Sequence, residues 1–515
     1  MDKKRSILNV ATSIVFKMIL LVSSLLVRRY LIKYIGNDVN GLNSLYISII
    51  GVLSVAELGI GDAITFCMYK PIVDRDTKRI SILYKLFKKT YLIIGAIITV
   101  AGCVVMPFLP YLAKGYTELN VNLYLTFLLM LISVVVTYLF SASTSLMNAY
   151  RDNYVSTIIT SGGQLLQHLL QILVLFSTRS FVWYLLCCII SVVIQWIVTE
   201  IIARKKYSVI QIDSADHLDS DTRTEIIKNI KAMFMHRIGG ILVNTIDSIV
   251  ISAFVGLIVL GKYSNYTTIM ASMTGTITLF FTPLTSTIGH LFVQDKDACK
   301  RYYNFFCGMN FALGCVFFLG YYSIIDNLIT LLFGAGLEME RSISFVITVN
   351  YFIQFMRQSS LLFRDASGTF YHDRWKPLAE GLSNLVFSIT FVLLFKKLLG
   401  DDFAVVGVIL ATILTNLFIC HIVEPYVLHR YAFHMSTKKH YLQNYCYIAG
   451  FIVLLLVLDL CMVTLENNWL ELLLNGCIAV GLSLIPIAAT IIFEKDFRDY
   501  AQSLLQKIRV KLPRS

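Results

Sequence analysis

Charged residues are scarce in this chain of 515 residues. Asp, Glu, Lys and Arg together make up 15% of the sequence, whereas a soluble globular protein carries about 25%. Hydrophobic residues make up 57%, and the mean hydropathy is +0.71. This balance excludes an ordinary soluble domain, and most of the molecular surface is expected to face lipid.

The sequence also lacks the cysteine patterns of a disulfide framework or a metal site. Its 11 cysteines lie mostly inside predicted membrane spans without metal-ligand spacing, so we interpret them as small apolar residues. Long outer loops are missing as well, since the longest predicted one covers roughly residues 326–340. An enzyme that polymerises or ligates polysaccharide outside the membrane needs a sizeable outer domain, and these loops leave no room for one.

Hydrophobic runs long enough to cross about 30 Å of hydrocarbon recur along the whole chain. We therefore predict an all-α polytopic membrane protein with about fourteen transmembrane helices: two pseudo-symmetric six-helix lobes plus two C-terminal helices. The N-terminal run is expected to be a retained first helix, because it contains Lys17 and lacks a signal cleavage pattern. The helices are expected at about 7–33, 41–68, 90–113, 121–148, 155–177, 181–203, 233–256, 261–292, 304–325, 341–368, 378–397, 403–427, 443–464 and 470–493.

Basic residues are distributed unevenly between the predicted loops. With the N-terminus inside, 33 of the 44 Lys and Arg residues fall on cytoplasmic segments and 9 on outer ones. This bias predicts an N-in, C-in topology, and it attributes the net charge of +12 to contact with anionic lipid, not to a nucleic acid. Two cytoplasmic stretches, 76–89 and 494–513, have the amphipathic pattern of interfacial helices.

The chain repeats itself at an offset of 220 residues. Gly36, Val39, Gly41, Ser44, Tyr46 and Ile49 recur as Gly256, Val259, Gly261, Ser264, Tyr266 and Ile269. We therefore expect an N-lobe over 1–220, a C-lobe over 221–440 and a final section over 441–515. Two homologous lobes around a shared cavity are typical of transporters, and we do not expect an enzyme.

Five basic residues are candidates for an anion-binding cavity. Lys17, Arg28 and Arg29 lie on the first predicted helix, where Lys17 and Arg28 are about 20° apart around the axis and so share a face. Arg237 is the repeat counterpart of Lys17, and Arg357 lies deep in a later span. Cations in a wet cavity suit a phosphate or diphosphate. Alternatively, the first four extend to lipid headgroups, and Arg364-Asp365, seven residues beyond Arg357, marks the cytoplasmic helix end.

Three acidic residues inside predicted spans are candidates for ion coupling: Glu57, Asp62 and Asp247. A buried carboxylate can carry a coupling proton or bind sodium; the alternative is an ion pair that only balances a buried cation. No other cofactor and no metal are expected. Glu380 and Glu424 lie near span ends or singly, and we interpret them as structural.

Three segments carry a resemblance to a known family. Gly41-Leu-Asn-Ser-Leu-Tyr46, Leu53-Ser-Val-Ala-Glu-Leu-Gly-Ile-Gly61 and Met68-Tyr-Lys-Pro-Ile72 resemble the Wzx-type polysaccharide (oligosaccharide-lipid) flippases. These belong to the superfamily that also holds the multidrug (MATE) exporters and the lipid II flippases. The echo of Tyr150-Arg-Asp152 in Tyr371-His-Asp373 fits this resemblance too.

The resemblance implies an alternating-access flippase in the bacterial cytoplasmic membrane. It would carry an undecaprenyl-diphosphate-linked oligosaccharide from the inner to the outer leaflet, coupled to a proton or sodium gradient. Its partners would be this lipid-linked substrate, membrane lipids and other polysaccharide-assembly proteins. The alternatives are a drug or small-molecule antiporter of the same superfamily, a membrane glycan polymerase or ligase, and a scaffold for other assembly proteins.

Overall fold

The structure is a computed structural model, and it describes residues 3–57, 60–211, 245–281, 284–401, 403–500 and 502–503. The chain forms two compact units, Met1–Gly261 and Lys262–Ser515. All regular secondary structure within the described ranges is helical, so the predicted all-α class is confirmed. The predicted boundary at residue 220 lies outside the described residues, and the division into 1–220, 221–440 and 441–515 stays a prediction.

The first unit contains long, mostly apolar helices. In chain order they are α1 (Lys3–Tyr34), α2 (Asn37–Leu53), α3 (Ile60–Val73), α4 (Thr77–Val105), α5 (Leu123–Ala149), α6 (Asn153–Thr178), α7 (Phe181–Lys206) and α8 (Thr245–Val255). Helix α9 (Leu257–Phe281) begins at the end of this unit.

The second unit is built around one very long helix, which packs against the helix that follows it and against the C-terminal pair. Its helices after α9 are α10 (Leu284–Gln294), α11 (Lys296–Phe333), α12 (Arg341–Met356), α13 (Gln358–Ser367), α14 (Lys376–Leu399), α15 (Ala404–Thr415), α16 (His421–Val427), α17 (Lys438–Cys461) and α18 (Asn468–Phe493). Stacked aromatic rings hold α12 against α17, with the Phe352 and Phe451 centroids 3.6 Å apart.

Within the described ranges, nine helices are long and apolar enough to cross a membrane. This confirms a multi-pass membrane protein, whereas the count of fourteen spans stays a prediction. Some predicted spans are divided: 41–68 becomes α2, a 3₁₀ turn at Ser54–Glu57 and α3, and 341–368 becomes α12 and α13.

The predicted surface helix at 76–89 is not a separate element. Its residues form the beginning of α4, which continues without a break into the span. The Asp76 carboxylate caps this helix by accepting a hydrogen bond from the Arg79 backbone N–H at 3.0 Å. An amphipathic surface helix and the polar end of a spanning helix have the same periodicity, so the pattern alone did not separate them. Most of the second predicted surface helix, 494–513, lies outside the described residues.

The sequence repeat corresponds to a repeat of backbone geometry. Gly36 precedes α2 with φ 126° and ψ 160°, and Gly256 precedes α9 with φ 138° and ψ 170°. Both conformations have positive φ, which glycine adopts without steric cost. Likewise, Asp76 caps α4 and Asp295 caps α11 at nearly the same offset. Equivalent residues thus begin equivalent helices in the two repeats.

The second glycine of each repeat allows two helices to cross closely within the first unit. An added Cβ on Gly41 would lie 2.0 Å from the Leu257 carbonyl oxygen, and one on Gly261 would lie 2.2 Å from the Asn37 carbonyl oxygen. The Asn40 side-chain amide donates to the Gly261 carbonyl at 3.2 Å. The first turns of α2 and α9 therefore touch backbone to backbone, which explains why both repeats carry glycine there.

The repeated tyrosine anchors a later helix in each unit. The Tyr46 hydroxyl donates to the Leu123 carbonyl at 2.8 Å, where α5 begins. The Tyr266 hydroxyl donates to the Asp326 carboxylate at 2.6 Å and accepts from the Met339 backbone N–H at 3.0 Å, just before α12. Both tyrosines are fully buried, so the hydroxyl that leaves water gains protein partners in each case.

Candidate functional site

The three predicted cations of the first helix lie on one uninterrupted element. Helix α1 runs through Lys17, Arg28 and Arg29 without a break, so Lys17 and Arg28 share a face about 16 Å apart along the axis. Both of these side chains are half-buried, whereas Arg29 is exposed. Their substrate-binding role stays a prediction.

Arg28 lies beside a polar group contributed by two other helices. Its guanidinium interacts electrostatically with Tyr184 of α7. The Tyr184 hydroxyl adjoins the side chain of Gln171 on α6. Five residues earlier on α1, the Ser23 hydroxyl lies 2.7 Å from Nδ1 of His168 on α6. Helices α1, α6 and α7 thus enclose a polar region whose strongest charge is Arg28.

The predicted acidic residues occupy different surroundings. Glu57 is half-buried in the turn after α2 and interacts with Tyr138 of α5. Asp247 is buried on α8, with 7% of its surface exposed. The backbone of Asp62 lies in α3, but its side chain is outside the description, and Arg237 falls in the stretch 212–244 outside the described residues. Ion coupling through any of them stays a prediction.

Arg357 in the second unit is enclosed by carboxylates. Its Nη2 lies 2.6 Å from Oε1 of Glu424, and its Nη1 lies 3.0 Å from Oε1 of Glu380. The same Nη1 donates to the Asn416 side-chain oxygen at 2.6 Å. The Lys376 ammonium bridges the two carboxylates, at 2.7 Å from Glu380 and 2.5 Å from Glu424. We call Arg357, Lys376, Glu380 and Glu424 the ion-pair quartet.

The quartet forms where three helices are interrupted or begin. Arg357 lies in the break between α12 and α13, Lys376 starts α14, and Asn416 starts a π-helical segment between α15 and α16. A helix break brings the side chain of Arg357 between its neighbours, and a π turn is frequent at functional or strained positions. The departures from regular spanning helices therefore coincide with this buried polar site.

Two positive charges match two negative charges in the quartet. The side chains are 13% exposed for Arg357, 5% for Lys376, 6% for Glu380 and 1% for Glu424. An anionic ligand at Arg357 would have to displace a carboxylate, and a coupling cation at Glu380 or Glu424 would have to displace Lys376. Sequence reasoning set both glutamates aside as structural, although Lys376 and Glu380 are four residues apart on a helix, a spacing typical of ion pairs.

The echoed aspartates of the two repeats are both buried and both paired. Asp152 lies 2.9 Å from the Lys206 ammonium and accepts from the Tyr207 hydroxyl at 2.6 Å. Asp373 lies 2.6 Å from Nη1 of Arg364. Equivalent aspartates therefore hold the turn before α6 and the turn before α14, and each is paired with a different cation.

Comparisons with protein-family profiles and with curated proteins find no match. Among solved structures, the chain is similar to one described as the lipid II flippase MurJ in an inward closed conformation. The TM-score is 0.62 at 14% identity, over 96% of this chain and 100% of that one. It is also similar to an inward-facing multidrug resistance MATE family transporter of the MOP superfamily, with a TM-score of 0.62 at 13% identity over 85% of this chain and 98% of that one.

The chain shares the fold of these two solved structures. The fold expected from the sequence resemblance is thereby confirmed. At these identities the likeness concerns the fold alone, so the chemistry of the chain must be argued from its own residues. In the described part of the chain, no group of three or more His, Cys, Asp or Glu side chains suits a metal ion. What the described residues offer instead is a cationic row on α1 and a neutral ion-pair quartet in the second unit.

Proposed function

We propose that the chain is a flippase that carries an undecaprenyl-diphosphate-linked oligosaccharide from the inner to the outer leaflet of the bacterial cytoplasmic membrane by alternating access. The observation that carries this proposal is the row of Lys17 and Arg28 on one face of α1, within the fold of a lipid II flippase. The N-terminus and C-terminus lie in the cytoplasm, and other polysaccharide-assembly proteins supply or receive the substrate.

The chemical problem of such transport is the diphosphate. A charged group near the bilayer centre costs about 2.5–3.5 kcal/mol on insertion scales. A guanidinium binds phosphate oxygens through paired hydrogen bonds, and an ammonium adds a point charge. Lys17, Arg28 and Arg29 neutralise the diphosphate along its path, while the lipid tail stays in the membrane. The carboxylates of Asp247, Glu57 or Asp62 couple this movement to a proton or sodium gradient.

The first prediction concerns these cations. Lys17→Gln and Arg28→Gln should each slow translocation about tenfold to a hundredfold, because a hydrogen bond to a charged group contributes about 1.5–3 kcal/mol. Translocation is measured as the leaflet accessibility of a labelled lipid-linked oligosaccharide in proteoliposomes. Lys33→Gln is the matched control, since Lys33 lies on the same helix, exposed, about 160° around the axis from Lys17. Unchanged rates in both cation variants would contradict the proposal.

A drug antiporter of the same fold is the second candidate, favoured by the likeness to the MATE transporter. It has no need of a phosphate-binding row. The double variant Lys17→Ala and Arg28→Ala would then keep drug transport in the same vesicles, and the wild-type protein would leave the lipid-linked oligosaccharide in its original leaflet. Glycosyl transfer by the purified protein would favour a polymerase or ligase instead.

A further inference from the structure

Three glutamines follow one face of α6. Gln164, Gln167 and Gln171 are spaced by three and four residues, so their side chains lie one above another. They span about 10 Å along the helix axis. We call them the amide row. An amide that leaves water without gaining a full set of hydrogen bonds is costly, so three of them at one face of a membrane helix require an explanation.

The partners of the amide row within the first unit are weak. Gln167 and Gln171 both direct their Nε2 groups at the Cys188 thiol of α7, at 3.4 and 3.2 Å, and Gln171 also hydrogen-bonds with Tyr184. The thiol itself points its hydrogen at the Tyr184 carbonyl of its own helix at 3.7 Å. Sulfur is a poor acceptor, so the shared thiol leaves much of the hydrogen-bonding capacity of the half-buried Gln167 available, whereas Gln171 is buried at 1% exposure. Gln164 is exposed.

The row does not face lipid. The lipid-facing stripe of α6 consists of large exposed apolar side chains, with Leu169, Leu173 and Phe176 between 50% and 64% exposed. Gln164 and Gln167 lie about 120–180° around the helix from these residues. The exposed end of the row therefore opens on a different surface, and its inner end, Gln171, adjoins Tyr184, which interacts with Arg28.

We propose that the accessible members of the amide row, Gln164 and Gln167, bind the sugar portion of the substrate, directly beside the diphosphate at Arg28. This inference rests on the proposed function, and it specifies which part of the substrate these glutamines bind. Each amide presents a carbonyl acceptor and two N–H donors, which matches the mixed donors and acceptors of sugar hydroxyl and acetamido groups. A site built to hydrogen-bond such groups rejects ligands that lack them. An apolar lipid or drug would leave the row unpaired.

The test compares binding of two probes to the purified protein in detergent. The probes are undecaprenyl-diphosphate-linked oligosaccharide from the source cells and undecaprenyl diphosphate without sugar. The triple variant Gln164→Met, Gln167→Met and Gln171→Met, which keeps side-chain length, should raise the Kd of the oligosaccharide probe about tenfold or more. It should leave the Kd of the sugar-free probe within about twofold, whereas Arg28→Gln should weaken both probes.

Two controls keep the outcome decisive. Leu169→Met changes the lipid-facing stripe of the same helix and should alter neither Kd. Gln164→Met alone, at an exposed position, should still weaken the oligosaccharide probe several-fold if the triple variant fails to fold. Equal Kd values for wild type and Gln variants with the oligosaccharide probe would overturn the inference and leave the flippase proposal intact. A wild-type protein that binds neither probe would overturn both.

Discussion

Glu424→Gln is expected to destabilise the second unit by about 3–5 kcal/mol, because it leaves two buried cations facing a single carboxylate. Glu424 accepts from Arg357 at 2.6 and 3.2 Å and from Lys376 at 2.5 Å, with 1% of its side chain exposed. Its neutral amide would also turn a donor toward one of these cations. The measurement is thermal unfolding of the purified protein in detergent, in which the variant should have a lower Tm than wild type.

A compensating variant separates charge balance from packing. Lys376→Met combined with Glu424→Gln restores neutrality, with Arg357 still paired to Glu380, and should recover much of the lost stability in a double-mutant cycle. Asp297→Asn is the matched control in the first turn of α11, where Asp297 pairs with Lys300 at 2.9 Å but is 79% exposed. That change should leave the Tm close to that of wild type, because exposed ion pairs contribute little to stability. A Glu424→Gln protein as stable as Asp297→Asn would contradict the prediction.

The quartet also shows a part of the site that could not be predicted from the composition of the sequence or the spacing of its residues. Arg357 was recognisable as a cation deep in a predicted span. Its partners lie 23 and 67 residues further along the chain, on helices whose arrangement depends on tertiary packing. Without those contacts, the same arginine is compatible with a free anion site and with a buried ion pair. The position of Arg357 deep in a predicted span therefore identified it as an important residue, but did not determine its chemistry.

Local rules were more successful where the cause is local. The glycine, valine and tyrosine pattern predicted two equivalent halves, and the structure begins α2 and α9 with the same unusual glycine conformation. Hydrophobic length predicted the spanning helices, because every span must cross the same hydrocarbon thickness. Asp326 was expected in an outer loop, but α11 continues through it to Phe333. The Tyr266 and Ser344 hydroxyls donate hydrogen bonds to the Asp326 carboxylate at 2.6 and 2.7 Å. No local sequence pattern predicts these contacts.

The amide row was overlooked for a different reason. Sequence reasoning weighed the ionisable residues inside predicted spans, since those are the most expensive to bury. Glutamine carries no charge, and Gln164, Gln167 and Gln171 lie among leucines. A helical wheel that marks amides as well as charges would have placed all three on one face. Their weak protein partners, however, become visible only once α7 places Cys188 against them.

Gly41→Ala and Gly261→Ala should each disrupt the crossing of α2 and α9 and lower the Tm markedly. The added methyl group meets a backbone oxygen at 2.0 or 2.2 Å, and a backbone cannot turn away as a flexible side chain can. Separation of the two helices would stretch the hydrogen bonds from Asn37 to the Ile258 carbonyl and from Asn40 to the Gly261 carbonyl, now 2.9 and 3.2 Å. Overpacking typically costs about 1–3 kcal/mol, and each lost hydrogen bond adds about 0.5–1.5 kcal/mol.

Matched glycines elsewhere in the chain make this prediction specific. Gly320 of α11 and Gly450 of α17 also lie within helices, but no described atom lies within 4 Å of the Cβ that alanine would add. Gly320→Ala and Gly450→Ala should leave the Tm unchanged or raise it, since alanine is favoured over glycine inside a helix by about 1 kcal/mol. Gly41→Ala and Gly261→Ala should both lower the Tm, and by similar amounts. Both substitutions strain the same helix contact, one from each helix. If instead all four variants raised the Tm, the close backbone approach would not exist in the protein, and the repeated glycines would need another explanation.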